Sequence, residues 1–180
     1  GAYDIIDEVN RGGMGMVYKA MDPQLRRLVA IKVLLAGEGA KDEDVKRFKR
    51  EAKVTMGLEH PHIIWTMDSG EVHGVPYMVM ELLTGGNLES RLQRQGPLPE
   101  AEALRVIRDI AAALQYAHEH GIVHRDVKPE NIMFDAGGQV KLADFGLVKI
   151  TDPGSSCLTA VGHTVGTPHY ISPEQIRGEG

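Results

Sequence analysis

Residues 122–134 read IVHRDVKPENIMF, which places Asp126, Lys128, Glu130 and Asn131 between apolar flanks. Residues 142–147, LADFGL, do the same with Asp144. A buried charge is costly unless it is paired or bound to a metal, so polar groups held between apolar segments call for a partner. Asp144 and Asn131 offer hard oxygen ligands of the kind Mg²⁺ takes when substrate phosphates complete its shell. Lys128 can neutralise a phosphoryl oxygen, and Asp126 is left as a candidate base. Taken one at a time, the same residues also read as turn formers, with Asp144 ending a strand.

Working outward from this stretch, residues 99–119 form a long helix. Leu104, Ile107, Ala111, Leu114 and Ala117 keep its 3.6-residue period and are expected to be its core face, with Gly121 as its stop. GGNLESRLQRQG at 85–96 holds a shorter helix. On the other side, NIMF (131–134) and QVKLA (139–143) are short strands split by the turn DAGG. Nearer the start, residues 3–10, 15–21 and 28–35 read as three strands, and HIIWTMDSG (62–70) and VPYMVMELL (75–83) as two more. Between them a helix runs from Asp42 to about Leu58, its start loaded with Asp42, Glu43 and Asp44, and with Val45, Phe48, Ala52 and Thr55 on one face. Strands first and helices later is an α+β arrangement. The boundary falls near LLTGGN (82–87), which divides residues 1–83 from 84–180 and puts a cleft between the two portions.

Composition narrows the class. A chain of 180 residues with 42% hydrophobic content suits one domain with a sizeable core. The longest apolar run, LVAIKVLLAG, is too short for a bilayer and carries Lys32, and no signal segment opens the chain. A lone cysteine, Cys157, fits a reducing, cytoplasmic setting. A net charge of −5 argues against a nucleic-acid face, since only KRFKR (46–50) concentrates positive charge. The eight histidines invite a metal, but His118 and His120 sit at a helix C-terminus, where the dipole favours them. The chain opens on Gly1 and closes on EQIRGEG, and is expected to be a fragment.

The glycines of EVNRGGMGMVYKA (8–20) are followed by a strand, whereas a dinucleotide fold needs a helix there, and no Gly-Lys-Ser/Thr follows them. Order then decides: this cluster, VAIK, a helical Glu51, HRDVKPEN, DFG and GTPHYISPE together resemble the protein-kinase family over essentially the whole chain. RGGMGMVYKA and GTPHYISPEQ look most like the bacterial Ser/Thr kinases that share the eukaryotic fold. The resemblance implies a bilobal α+β fold with a small antiparallel sheet and one helix in the N-lobe (1–83) and an incomplete, mainly helical C-lobe (84–180). It implies transfer of the ATP γ-phosphoryl group to a serine or threonine of a protein, with Mg²⁺ or Mn²⁺. Gly12, Gly13 and Gly15 would lie over the phosphates, Val17 and Ala30 above the adenine and Met133 below it. Lys32 would hold the α- and β-phosphates, oriented by Glu51; alternatively Glu51 pairs with Arg47 on the helix surface. Met80 would be the gatekeeper or simply core filler, and the backbone of Glu81 and Leu83 would bond the base. Asp126 would accept the substrate proton, Lys128 contact the transferred group, and Asn131 and Asp144 hold the metal. His124 would serve packing. Lys128 and Thr167 point to Ser/Thr acceptors. Arg125 would pair with a phosphate on Thr159, Thr164 or both after autophosphorylation, for which dimerisation is one route; the same segment is also polar enough to be a plain loop.

Three departures stand out. Asn10 replaces the first glycine of the family loop and is expected to weaken nucleotide binding through a small backbone strain, so that Asn10→Gly would tighten it. Ser172 replaces an alanine, an exchange expected to matter little. The family's later helices, and an arginine that pairs with the residue here numbered Glu174, have no counterpart in the 180 residues, so the short chain is expected to aggregate or transfer phosphate poorly. A pseudokinase scaffold and a small-molecule kinase of related fold are the competing readings. Intact Lys32, Asp126, Asn131 and Asp144 speak against the first, and GTPHYISPE against the second.

Overall fold

The computed structural model describes residues 3–12, 15–34, 42–145, 149–150 and 168–177. Five antiparallel strands, β1 (Asp4–Gly12), β2 (Gly15–Asp22), β3 (Arg27–Leu34), β4 (Thr66–Val72) and β5 (Val75–Glu81), form one sheet in the order β1-β2-β3-β5-β4. The β1–β2 hairpin closes on the pair Gly12 and Gly15. Gly15 is demanded by packing: a Cβ there would land on the carbonyl oxygen of Val33 in the neighbouring strand. Strand β4 starts four residues later than expected, because the backbone before it is used elsewhere. Leu142 N–H donates to His62 O (2.8 Å) and Ile64 N–H to Leu142 O (3.0 Å), tying residues 62–64 to the second half of the chain.

Helix α1 (Asp42–Met56) crosses one face of the sheet, where Phe48 and Ala52 pack on Leu34 and Met78. The opposite face buries Ala20, Val29, Ile31 and Val79. The second portion begins with α2 (Leu88–Gln95), whose N-terminus is capped by Asn87 Oδ1 on Ser90 N–H (2.8 Å). It continues with α3 (Glu100–Glu119), stopped at Gly121, whose φ of 72° is open to glycine at little cost. Two small ribbons follow: β6 (Ile122–Val123) pairs with β9 (Lys149–Ile150), and β7 (Ile132–Phe134) with β8 (Val140–Leu142). A one-turn helix, α4 (Pro173–Ile176), comes last.

The core face of α3 differs from the expected one. Val106, Ile110, Ala113 and Ala117 are buried, while Leu104 is 59% exposed and Ile107 65% exposed. Of the expected row only Ala117 is buried, with Leu114 packed at the core's margin. The helix carries two apolar rows, and periodicity alone cannot choose between them. The chosen row packs with Phe134, Leu142 and Phe145, and with Val54 of α1 and Leu58 just past its end. The rear of α1 is thus part of the helical portion's core. Among the described residues no helix is long and apolar enough to cross a membrane.

Candidate active site

The register of β2, β3 and β5 places Val17 opposite Lys32, Lys32 opposite Met78, and Ala30 opposite Met80. Residues directly opposite in a sheet share a face, and so do residues two apart, so Val17, Ala30, Lys32 and Met80 line one side. From it Lys32 Nζ reaches Glu51 Oε1 in α1 at 2.8 Å and Asp144 Oδ1 at 3.1 Å. Glu51 is buried and turned inward, away from the helix surface where a pair with Arg47 would lie. Burial works against the Lys32 ammonium, but Glu51 and then Asp144 outweigh it and hold its pKa above the ordinary lysine value. Burial also raises the Glu51 carboxyl, with Lys32 opposing. Asp144 falls below the usual carboxylate range: burial would raise it, and the Lys32 ammonium prevails.

The catalytic-loop candidates are assembled by short-range chemistry. His124 is buried, its ring edge-on to Phe145 with centroids 4.6 Å apart. Its Nε2 bonds Ala143 O (3.1 Å), and its Nδ1 accepts from Asp126 N–H (3.2 Å). These two bonds suit a neutral ring, and burial holds the pKa below the ordinary histidine value. No metal role is needed for it. Pro129 opens a 3-10 turn, Pro129–Asn131, that brings Asn131 back: its Nδ2 donates to Asp126 O (2.8 Å) and Oδ2 (3.1 Å). Lys128 Nζ sits 3.0 Å from the same Oδ2. Asp126 Oδ1 is used by none of these bonds. Ala143 N–H donates to Asn131 O (2.9 Å), which stitches Asn131 beside the segment of Asp144. Arg125 and Asp144 have φ of 66° and 64°, a left-handed backbone that costs a side-chain-bearing residue about 1–2 kcal/mol.

Asn131 and Asp144 form a hard-oxygen donor set: the Asn131 amide nitrogen is committed to Asp126, and the Asp144 side chain is 44% exposed. Such a pair fits a hard divalent cation that takes most of its ligands from phosphates and water. Among the described residues no group of three or more His, Cys, Asp or Glu could hold a metal ion by itself. Beside them, Ile64, Leu83 and Ala143 form a small buried cluster against which Met80 and Met133 pack. Glu81 is anchored at both ends: its N–H donates to Trp65 O (3.0 Å), and its carboxylate takes Trp65 N–H (2.7 Å) and Lys141 Nζ (2.8 Å).

Two expectations need correction. Asn10 lies in β1 opposite Val17 and is absent from the residues with positive φ, so the strain expected there does not exist. The reason for expecting Asn10→Gly to tighten nucleotide binding goes with it. Ser172 is the N-cap of α4, in a capping box: Ser172 Oγ accepts Gln175 N–H (3.4 Å) and Gln175 Oε1 accepts Ser172 N–H (3.2 Å). Alanine there would lose this. The Gln175 Nε2 then donates to Arg125 O (2.9 Å), a link to the backbone beside Asp126 that the S-x-x-Q spacing at 172–175 signals only in part. Glu174 is solvent exposed. Gly12 ends β1, while Gly13, Thr159, Thr164, Thr167 and Cys157 lie outside the described residues.

Residues 3–180 match the protein kinase domain model. The chain is 43% identical to the "Probable serine/threonine-protein kinase PknB" of Lactococcus lactis subsp. lactis, over 98% of its own length and 28% of that protein's. It is 41% identical to the serine/threonine-protein kinase PrkC of Bacillus subtilis, over 99% of the chain and 27% of the relative. For the serine/threonine-protein kinase PknB of Mycobacterium leprae the values are 40%, 98% and 29%. The chain thus spans less than a third of the length of these curated relatives.

Proposed function

Because the chain belongs to the protein kinase domain family, we propose that it transfers the γ-phosphoryl group of ATP to a serine or threonine hydroxyl of a protein. The observation that carries this is Lys32, from the sheet, held at once by Glu51 of α1 and by Asp144 of the following lobe. A cation fixed by two carboxylates at the face of an apolar slot suits phosphate oxygens next to a flat base. Residues 1–83 are read as the N-lobe and 84–180 as C-lobe.

Asp126 Oδ2 is occupied by Asn131 and Lys128, so Oδ1 is the oxygen that takes the proton of the attacking hydroxyl. The substrate oxygen then bonds to the γ-phosphorus as the bond to the ADP oxygen breaks. Lys128 neutralises charge on the transferred group, and Lys32 holds the α- and β-phosphates. Asn131 and Asp144 would hold Mg²⁺ or Mn²⁺, which supplies charge neutralisation along the phosphates. Val17, Ala30 and Met133 bound the adenine slot, Met80 closes its back, and the Glu81 carbonyl and the Leu83 backbone bond the base. Gly12, Gly13 and Gly15 let the hairpin backbone cover the phosphates.

The acceptor class rests on Lys128 and on Thr167 before the tyrosine of GTPHY. Thr159 and Thr164 are the proposed autophosphorylation sites, their phosphates pairing with Arg125; finding both unmodified by mass spectrometry in an active, ATP-treated preparation removes that part. The main test uses the full-length protein, with labelled ATP offered to a generic protein and to a small hydroxyl compound. Transfer to the protein, lost at least about 10³-fold in Asp126→Asn, is expected. Preferential transfer to the small compound, or turnover indifferent to Asp126→Asn, overturns the reading.

A further inference from the structure

The loop at 124–126 is held in a left-handed conformation at Arg125 by side-chain bonds to its backbone. Two come from the loop itself, His124 Nδ1 on Asp126 N–H and Asn131 Nδ2 on Asp126 O. The third comes from 50 residues away: Gln175 Nε2 donates to Arg125 O at 2.9 Å. Gln175 is itself oriented, because its Oε1 takes Ser172 N–H and its own N–H is held by Ser172 Oγ. Both ends of one amide are therefore used, one to cap α4 and the other to grip the peptide preceding Asp126. Ser172 lies just past the segment that carries GTPHY.

We propose that Gln175 is a positioning residue for the phosphoryl-transfer reaction, a bridge that fixes the Arg125–Asp126 peptide to α4, just past GTPHY. This rests on the function proposed above. An acceptor in place of the donor faces the Arg125 carbonyl with a second oxygen, and Asp126 loses its set orientation while the nucleotide site is untouched. The bridge makes the aim of the base depend on how the GTPHYISPE segment is seated.

Two substitutions separate the bridge from the cap. Gln175→Glu keeps the acceptor for Ser172 N–H and loses the donor. Gln175→Arg loses the acceptor and keeps an Nε–H donor as many bonds from Cα as the glutamine nitrogen. In the full-length protein, Gln175→Glu is expected to lower kcat about tenfold or more, with KM for ATP within about twofold, the scale of one part-buried hydrogen bond lost. Gln175→Arg should stay within about threefold of wild type in kcat. Gln175→Met, with neither charge nor donor, should fall with Gln175→Glu. Amide hydrogen exchange over residues 122–131 gives a readout independent of turnover: faster in Gln175→Glu, unchanged in Gln175→Arg. Unchanged kcat and protection in Gln175→Glu and Gln175→Met, or a loss in Gln175→Arg equal to theirs, would overturn the bridge. Wild-type protein that transfers no phosphate would sink the functional reading instead, and the exchange experiment alone would then decide the bridge.

Discussion

Glu51 pairs with Lys32 from a buried position, where burial opposes the charge that makes the pair. Its carboxyl is raised by burial, and a group raised in the fold contributes stability that is present below its unfolded value and lost as pH rises through the folded one. At neutral pH the ionised form is therefore the costly one. Glu51→Gln is expected to leave urea stability at pH 7 unchanged or slightly higher, while kcat/KM for ATP falls at least about tenfold, roughly 1.4 kcal/mol, as Lys32 loses its orientation. His124 works in the opposite direction. Its depressed pKa contributes stability that is present above its unfolded value, about 6.5, and lost as pH falls through the folded one. Stability curves between pH 7.5 and 5 measured by denaturant titration should decline on the acid side, and His124→Phe should flatten that segment. Asp126, Asn131 and Asp144 stand out in the sequence because polar residues between apolar flanks need partners, whereas Lys32 and Glu51 are reached through the family resemblance. What was invisible was the side-chain traffic between them, such as Asn131 spending its nitrogen on Asp126.

At the scale of elements, α1 was readable and α3 only half so. In α1 acidic residues open the helix and one apolar stripe exists, so Phe48 and Ala52 had a single place to go. Helix α3 offers the row Leu104, Ile107, Ala111 and the row Val106, Ile110, Ala113, both at helical spacing. Which one is buried depends on Phe134, Leu142 and Phe145, residues distant in sequence. Chemical denaturation separates the rows: Ile110→Ala should cost about 2–4 kcal/mol, and Ile107→Ala no more than about 0.5 kcal/mol. The late start of β4 has a similar origin, since nothing in HIIW announces that its backbone belongs to Leu142. The capping role of Ser172 was legible from S-x-x-Q, and a comparison of its size with alanine alone obscured it.

For the whole molecule, the order of motifs carried the α+β architecture and the turn DAGG announced the β7–β8 ribbon, whereas the sheet order and the pairing of β6 with β9 came only from the structure. The way the two portions grip each other was not legible, because it is made by side chains that look like ordinary core. The grip is uneven along α1. Val54 and Leu58, at and just beyond its rear, belong to the core built on α3, whereas Phe48 and Ala52 rest on the sheet. This makes α1 a lever pivoted at its tail. Glu51 lies five residues ahead of Met56, the last residue of α1, about 7.5 Å along the axis at 1.5 Å per residue. A tilt of about 15° about that pivot displaces the carboxylate by about 2 Å, enough to carry it out of bonding range of Lys32. Small angular motion at the head of one helix is thereby converted into making or breaking a single contact, with the pivot left where it is.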